Sequence, residues 1–418
     1  MPALLDTLDS NLQLWHGEAH VQSPGYALLE GGGYRFGSPA RRAARLHPRD
    51  INTRFWWQLS TEPLQPALGP ARHTADLVHA HLQALHAEGG RPDEIVLAVP
   101  GTMQREQLSL LLGIVQQCPF DAVGLVNRSV ALASLYGGAG RLFHLEIQLH
   151  QAVITEIEAR GDAVALQRTH PLPGCGLLQL QERLVEIIAA AFIRQTRFDP
   201  RRKAITEQQL YDDLPQALRT LAGAAEVDLE VNGYRARVGA GELREAGERL
   251  FDSVRRVLSA AADPCHLIAD PLAGLLPGIE EALPGIEVLA PSRVSEALSG
   301  HLPRLVQRDR ALDFVTALPP LRAREAGPQQ PPVAPAREES TAVPTHLLAG
   351  GTARPLGRSP VALAEGCGLH PEAEGWVVTG AGISVNGGTY RPGQRLAPGD
   401  RIRLPGGGEC QLIEVLPG

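Results

Sequence analysis

Lysine is almost missing from this chain: of its 39 basic residues only Lys203 is not an arginine, which removes lysine from most mechanistic roles a basic side chain fills. So strong a bias most simply reflects genome composition. The five cysteines, Cys118, Cys175, Cys265, Cys367 and Cys410, are odd in number and scattered, with no C-x-x-C pair and no histidine at zinc-ligand spacing. They read as reduced and structural, and neither a metal nor a disulfide framework is expected. No apolar run approaches the roughly 20 residues that cross a bilayer, so membrane insertion is not expected. The opening Met1-Pro2-Ala3-Leu4-Leu5-Asp6 lacks the basic segment, apolar run and cleavage site of an export leader, and cytoplasmic residence is the expectation.

What is present is a chain of 418 residues, 44% hydrophobic, with enough apolar material for a substantial core and more than one domain. The net charge of −7 gives no global attraction to nucleic acid, and no specific nucleic acid is expected as a partner. Arg41, Arg42, Arg45 and Arg49 form a local basic cluster, read first as a solvated or salt-bridged face and second as a contact for phosphate or an acidic partner.

The clearest boundary is the segment 319–344, whose prolines at 328, 331, 332 and 335 deny the backbone donors and angles that a packed element needs. It reads as a semi-rigid linker between a body, residues 1–318, and a Gly-rich module, residues 345–418. Within the body, periodicity predicts a helix over 74–88, a buried strand at Ile95 to Val99, a helix built on Leu108, Leu111, Leu112 and Val115, and a strand at Ala122 to Val126. A crossover of that length implies parallel strands. A helix is expected over 128–137, then an antiparallel meander of three strands within 142–169. Long helices are expected at about 177–196 and 241–261, with a hairpin at 227–238 around Asn232-Gly233. Strand, helix, strand, helix over 266–269, 272–283, 286–289 and 292–298 closes an α/β body that passes from meander to parallel crossover twice.

The run Val99-Pro100-Gly101-Thr102-Met103-Gln104-Arg105-Glu106-Gln107, the strand Asp121 to Asn127 and the helix ending Leu135-Tyr136-Gly137 resemble the strand, Val-Pro, helix, strand, Asn-Glu-Pro, helix, Tyr-Gly progression of the Hsp70 family nucleotide-binding domain. Weaker correspondences extend over most of residues 1–316. The resemblance implies the two-lobed actin-like ATPase fold, ribonuclease H-like in each lobe, with phosphates held by glycine-bearing hairpins in the cleft. Against the family's first hairpin, Asp-Leu-Gly-Thr-Thr-Asn-Ser, stands Asp6-Thr7-Leu8-Asp9-Ser10-Asn11-Leu12, with Leu8 for glycine and an added anion at Asp9. Against the second, Asp-Leu-Gly-Gly-Gly-Thr-Phe-Asp, stands His144-Leu145-Glu146-Ile147-Gln148-Leu149-His150-Gln151, without a glycine. Arg128 takes the place of the Asn-Glu-Pro acid, Ala269-Asp270-Pro271 replaces a Gly-Gly turn, and the family's early lysine is absent. Bare backbone amides and carboxylates are what polyphosphate and its metal need, so no efficient hydrolysis is expected, and no catalytic, cofactor-binding or metal-binding residue is assigned.

The module resembles a forkhead-associated (FHA) β-sandwich: Gly357-Arg358-Ser359 near its start, Trp376-Val377-Val378, a Val385-Asn386-Gly387 turn, and Pro398-Gly399-Asp400 leading into Ile402 and Leu404. Arg358 could be the arginine that family uses on phosphothreonine and Asn386 sits at its Asn-Gly turn, while the Ser-x-x-His element is absent. These two are the candidate protein-interaction residues. The expected function is a non-enzymatic Hsp70-like adaptor or scaffold whose partners are proteins. The alternative is a divergent ATP-binding regulatory switch whose C-terminal module binds a phosphoprotein, and a sugar or metabolite kinase is a third class that no surviving phosphate loop supports.

Overall fold

In a computed structural model of the chain, described over residues 1–136, 140–160, 162–261, 265–321, 344–349 and 352–414, the last apart from 358, 365, 373–374, 381, 387, 391–394 and 406–407, the protein is mixed α/β. It divides into two compact units, Met1–Glu325 and Ala326–Gly418. Most of the expected linker, 322–343, lies outside the described residues.

The first unit holds two six-stranded sheets of matching order. In one, Ala3–Asp6 is flanked on one side by the antiparallel strands Leu12–His16 and Ala19–Ser23, and on the other by Glu94–Val99, Asp121–Asn127 and Phe314–Val315, all parallel to their neighbours. In the other, Gly140–Ile147 is flanked by the antiparallel Gln151–Arg160, Ala163–Pro173 and Ala317–Leu318, and on its far side by the parallel Cys265–Ala269 and Glu287–Val288. The meander and crossover expected twice are therefore present twice. One short stretch near the end of the unit, Phe314–Val315 and then Ala317–Leu318, adds a strand to each sheet.

Alternation along the strands sorts their side chains into layers. Leu5, Leu97 and Leu125 point to a core shared with the helices Thr74–Glu88 and Arg105–Val115. Leu145, Ile147 and Ile154 point to another core, shared with Leu177–Thr196, Ala204–Leu221 and Glu248–Ser259. Leu4, Val96, Ala98 and Val126 of one sheet share a middle core with Leu142, Ile157 and Ile268 of the other, around the helices Arg128–Ala133 and Arg293–Leu305. Two sheets thus close on a common helical layer, which brings the carboxyl ends of their parallel strands together.

Two expected helices are interrupted, and one further helix is present. The helix over 272–283 is a 3-10 turn, Ala273–Leu275, and a single helical turn, Ile279–Ala282, because Pro277 lacks a donor and Gly278 sits at φ +78°. The helix over 241–261 is broken into Ala240–Leu243, a 3-10 segment Arg244–Gly247, and Glu248–Ser259. Ala204–Leu221, which carries Pro215 in its interior, was not anticipated, since the Asp-Asp-Leu-Pro sequence reads locally as a turn.

The second unit, taken by itself, is two antiparallel sheets. Six strands run in the order Thr352–Pro355, His346–Ala349, Glu409–Ile413, Arg401–Arg403, Ser384–Val385 and Gly388–Thr389, and three in the order Val361–Ala364, Cys367–Glu372 and Gly375–Thr379. Leu347, Ile402 and Leu412 from the first share a core with Leu369, Trp376 and Val378 from the second.

Candidate functional site

Arg128 is the first residue after the strand Asp121–Asn127, and the chain turns there into a helix because Asn127 caps it, its Oδ1 accepting from Val130 N at 3.0 Å. The turn aims a guanidinium into the space where the strand ends of both sheets meet. Arg128 is 2% exposed, the bulkiest side chain buried to that degree. Its Nε donates to both oxygens of Asp6 at 2.9 Å, and Nη1 and Nη2 form a fork on Asp270 at 2.9 and 2.8 Å. Asp6 ends the central strand of one sheet and Asp270 follows Cys265–Ala269 of the other, so a single side chain ties the two sheets together. Glu146 approaches Nη1 at 3.6 Å, and His144 stands 3.4 Å from Asp270 while sharing a 2.8 Å hydrogen bond with Ser129 Oγ.

Electrostatically the cluster sets one positive charge against three carboxylates, a net −2 if all ionise in a dry interior. Burial opposes that state and pushes Asp6 and Glu146 upward despite the guanidinium. Burial would raise Asp270 as well, but there Arg128 and His144 prevail and hold it down to about 2. Arg128 itself is driven further above its ordinary range, because its anions outweigh its loss of water. The guanidinium is therefore a fixed internal cation.

The two hairpins beside it are closed in a complementary way. In the first, Thr7 N donates to Ala98 O, Leu8 N to Asp6 Oδ1 and Asn11 N to Leu8 O, and the Leu8 side chain is buried. In the second, Leu149 N donates to Asp9 Oδ1 at 2.8 Å and Gln148 N to Gln151 O at 2.9 Å. The amides at the start of the helix Leu177–Thr196 donate to the carbonyls of Gln148 and Leu149. A methyl on Gly176 would come within 2.3 Å of the His150 carbonyl carbon, which is why the helix can start so close to the hairpin. These amides are all bound internally, and a carboxyl group of one hairpin occupies an amide of the other. Burial, then the charge of Glu146, pushes Asp9 up to about 7 against the effect of that amide.

A cavity of about 300 Å³ lies between the hairpins, reached by Thr7 and Asp9 from the first, Gln148 and Gln151 from the second, and by Trp56, Trp57 and Gly101. Sequence reading had not singled out the two tryptophans. They lie in a turn without period, and only the folded chain places them on the same cavity as Gly101. Nor was Asp270 recognised as a partner for Arg128, because nothing local distinguishes an aspartate that reaches across from one that faces water.

Of the arginine cluster, Arg45 lies 4.0 Å over the Tyr211 ring and 3.8 Å from Glu207, and Arg41 is 3.8 Å from Asp212, so both are engaged with the helix Ala204–Leu221. In the second unit Arg358 lies outside the described residues. Asn386 is exposed at φ +53°, and its amide is committed to the turn, Nδ2 donating to Asp400 Oδ1 at 2.8 Å and Oδ1 accepting from Arg401 N at 2.9 Å. Among the described residues no group of three or more His, Cys, Asp or Glu side chains is placed to hold a metal ion, and no helix is long and apolar enough to cross a membrane. Comparison of the chain with protein-family models and with curated proteins gives no match.

Proposed function

We propose that this chain is a non-catalytic scaffold: an Hsp70-like body of the two-lobed, actin-like kind, whose nucleotide cleft is filled by its own charges, joined to a forkhead-associated-like module that engages protein partners. The repeated strand order of the two sheets supports the body's assignment, since each sets a three-stranded meander beside parallel crossovers. In the module, two antiparallel sheets around one core support the sandwich reading.

One observation carries the proposal. A cleft that grips a metal polyphosphate presents carboxylates to a cation and backbone amides to an anion. Here Arg128 supplies the cation to Asp6, Glu146 and Asp270, and the Asp9 carboxyl group supplies the acceptor to the amide of Leu149. Admitting Mg-ATP would require expelling a buried guanidinium from its fork on Asp270, a contact of the kind whose loss costs about 3–5 kcal/mol. What remains is a rigid pair of lobes suited to presenting surface rather than cycling.

Isothermal titration calorimetry of the intact protein with Mg-ATP checks this. The expected result is no saturable heat up to about 1 mM, a binding free energy weaker than about −4 kcal/mol. Micromolar binding with measurable turnover would overturn it. The partner half of the reading is checked by affinity capture with the intact chain and with a chain ending at residue 321: partners recruited by the module vanish from the second.

A further inference from the structure

Tyr26 and Tyr211 are buried to 5% and 8% exposure, and among the described residues neither hydroxyl has a hydrogen-bond partner. Neither is sealed in, so each buried ring keeps its hydroxyl end accessible. Both residues line a separate cavity of about 350 Å³. Of the hairpin residues 6–12 and 144–151 only His150 reaches it, so it is not the space between the hairpins. One wall carries Tyr26, Arg41, Arg45 and Arg54, from the segment that follows Ala19–Ser23. The other comes from the helices Leu177–Thr196 and Ala204–Leu221.

Gln208 joins the two walls by the backbone of the arginines: its Oε1 accepts from Arg45 N at 2.8 Å and its Nε2 donates to Arg41 O at 3.3 Å. The guanidinium groups are spent on little. Arg45 Cζ stands 4.0 Å over the Tyr211 ring, and the carboxylate of Glu207 is 3.8 Å away, too far for a hydrogen bond. Arg41 is likewise 3.8 Å from Asp212, and its side chain makes one 3.4 Å hydrogen bond, to Tyr211 O. Arg54 is exposed and, among the described residues, makes no side-chain hydrogen bond or ion pair. Burial pushes both tyrosines up to about 12, while Arg41 and Arg45 pull Tyr26 down and Arg45 pulls Tyr211 down. The hydroxyls therefore stay protonated beside these cations and are free to donate.

The lining's one carboxyl group is the exposed Glu182. Glu207 and Asp212, off the lining, offset part of the positive charge, so the unspent donors specify the occupant more than net charge does. Guanidinium N–H groups and two phenol O–H groups exceed what the two oxygens of a carboxylate accept. A phosphoryl group offers three oxygens and a charge of about −1.5 to −2 at neutral pH. We infer that this cavity binds a single phosphoryl group, free or as a small monoester, with Arg41, Arg45, Tyr26 and Tyr211 as its donors and Arg54 as a third cation. The volume is at the small end of the range for small-molecule sites, about 300–1,000 Å³. Asp6, Arg128, Glu146 and Asp270 do not line this cavity, so the inference does not rest on the scaffold reading.

The test is calorimetry on the intact protein at fixed ionic strength with inorganic phosphate, glycerol 2-phosphate and O-phosphoserine, each to about 10 mM, beside succinate. Saturable binding of at least one of the three is expected, with succinate weaker by about tenfold or more. Tighter binding of inorganic phosphate identifies the free ion as the ligand and tighter binding of a monoester a phosphorylated small molecule, and either order supports the assignment. Arg45→Gln is expected to weaken that binding by about tenfold or more. Tyr26→Phe and Tyr211→Phe remove hydroxyls that hold nothing inside the protein, so each leaves the thermal midpoint unchanged and weakens binding by about threefold or more. These two variants decide the matter should Arg45→Gln fail to fold. No saturation by any of the three overturns the inference, as does succinate binding equally well, displacement of bound phosphate by equimolar Mg-ATP, or affinity unaltered in the folded variants.

Discussion

Asn127 and Arg128 are neighbours in the chain, both buried, and their side chains meet opposite circumstances. Each nitrogen of the Arg128 guanidinium donates to a carboxylate that comes from another strand end. Asn127 spends its oxygen on a helix amide and leaves its nitrogen unpaired beside Gly101. A closed polar network holds a structure together, whereas buried polar atoms without a partner incur a cost. The guanidinium of Arg128 belongs to the first kind, and Asn127 Nδ2 and Thr155 Oγ1 to the second.

The comparison breaks most severely at Arg128. Arg128→Met keeps much of the side-chain volume but leaves Asp6, Glu146 and Asp270 buried around no cation. The loss expected in urea denaturation is about 3–5 kcal/mol, enough to unfold a marginal domain. Adding Asp6→Asn and Asp270→Asn to Arg128→Met removes two of the three stranded carboxylates and recovers at least half of the loss. A single Arg128→Met that costs under about 1 kcal/mol would mean the cluster does not hold the sheets.

A smaller effect separates two buried titratable groups, Asp9 and His81, whose signs are opposite. Asp9 is raised from 3.8 to about 7, so the stability associated with it is complete below pH 3.8 and is lost as pH rises through about 7. His81, fully buried with both ring nitrogens hydrogen-bonded to Ser23 and Trp56, is lowered from 6.5 to about 3. Its contribution is complete above pH 6.5 and declines as pH falls toward 3. Asp9→Asn retains an acceptor for Leu149 N without the charge, and is expected to stabilise the protein at pH 8 by about 2 kcal/mol while leaving pH 4 nearly unchanged. Equal effects at the two values would show that Asp9 is ionised at no cost.

How much of this was legible beforehand follows from range. Glu94–Val99, Arg105–Val115, Leu177–Thr196 and the hairpin around Asn232 and Gly233 were readable because their periodicity and turn residues are local. The doubled meander and crossover followed from them. The helix over 272–283 failed because an apolar spacing concealed the combined effect of Pro277 and Gly278. At the site, the residues of both hairpins and Arg128 stood in the sequence, but their pairing did not. The link from Arg128 to Asp270 spans 142 residues, and that from Leu149 to Asp9 spans 140. Linear reading can name the residues that stand in each hairpin, and only three-dimensional pairing reveals what each of them binds.

The smallest expected effect sharpens the contrast between the two kinds of polar group. Ser129 and Thr155 are both fully buried hydroxyl residues next to His144, Ser129 through a 2.8 Å hydrogen bond and Thr155 as its partner across the antiparallel strands. Ser129→Ala leaves a ring nitrogen of His144 unpaired in the interior, at a cost of about 1–3 kcal/mol. Thr155→Val replaces an unpartnered hydroxyl by a methyl group of nearly the same shape, so its stability is expected within about 0.5 kcal/mol of the parent or slightly above it. The pair is measured by urea denaturation under identical conditions, with the difference between the variants as the readout. A loss for Thr155→Val as large as that for Ser129→Ala would mean that the hydroxyl is already satisfied in solution, and that the wall beside Gly101 belongs to the same closed network as Arg128.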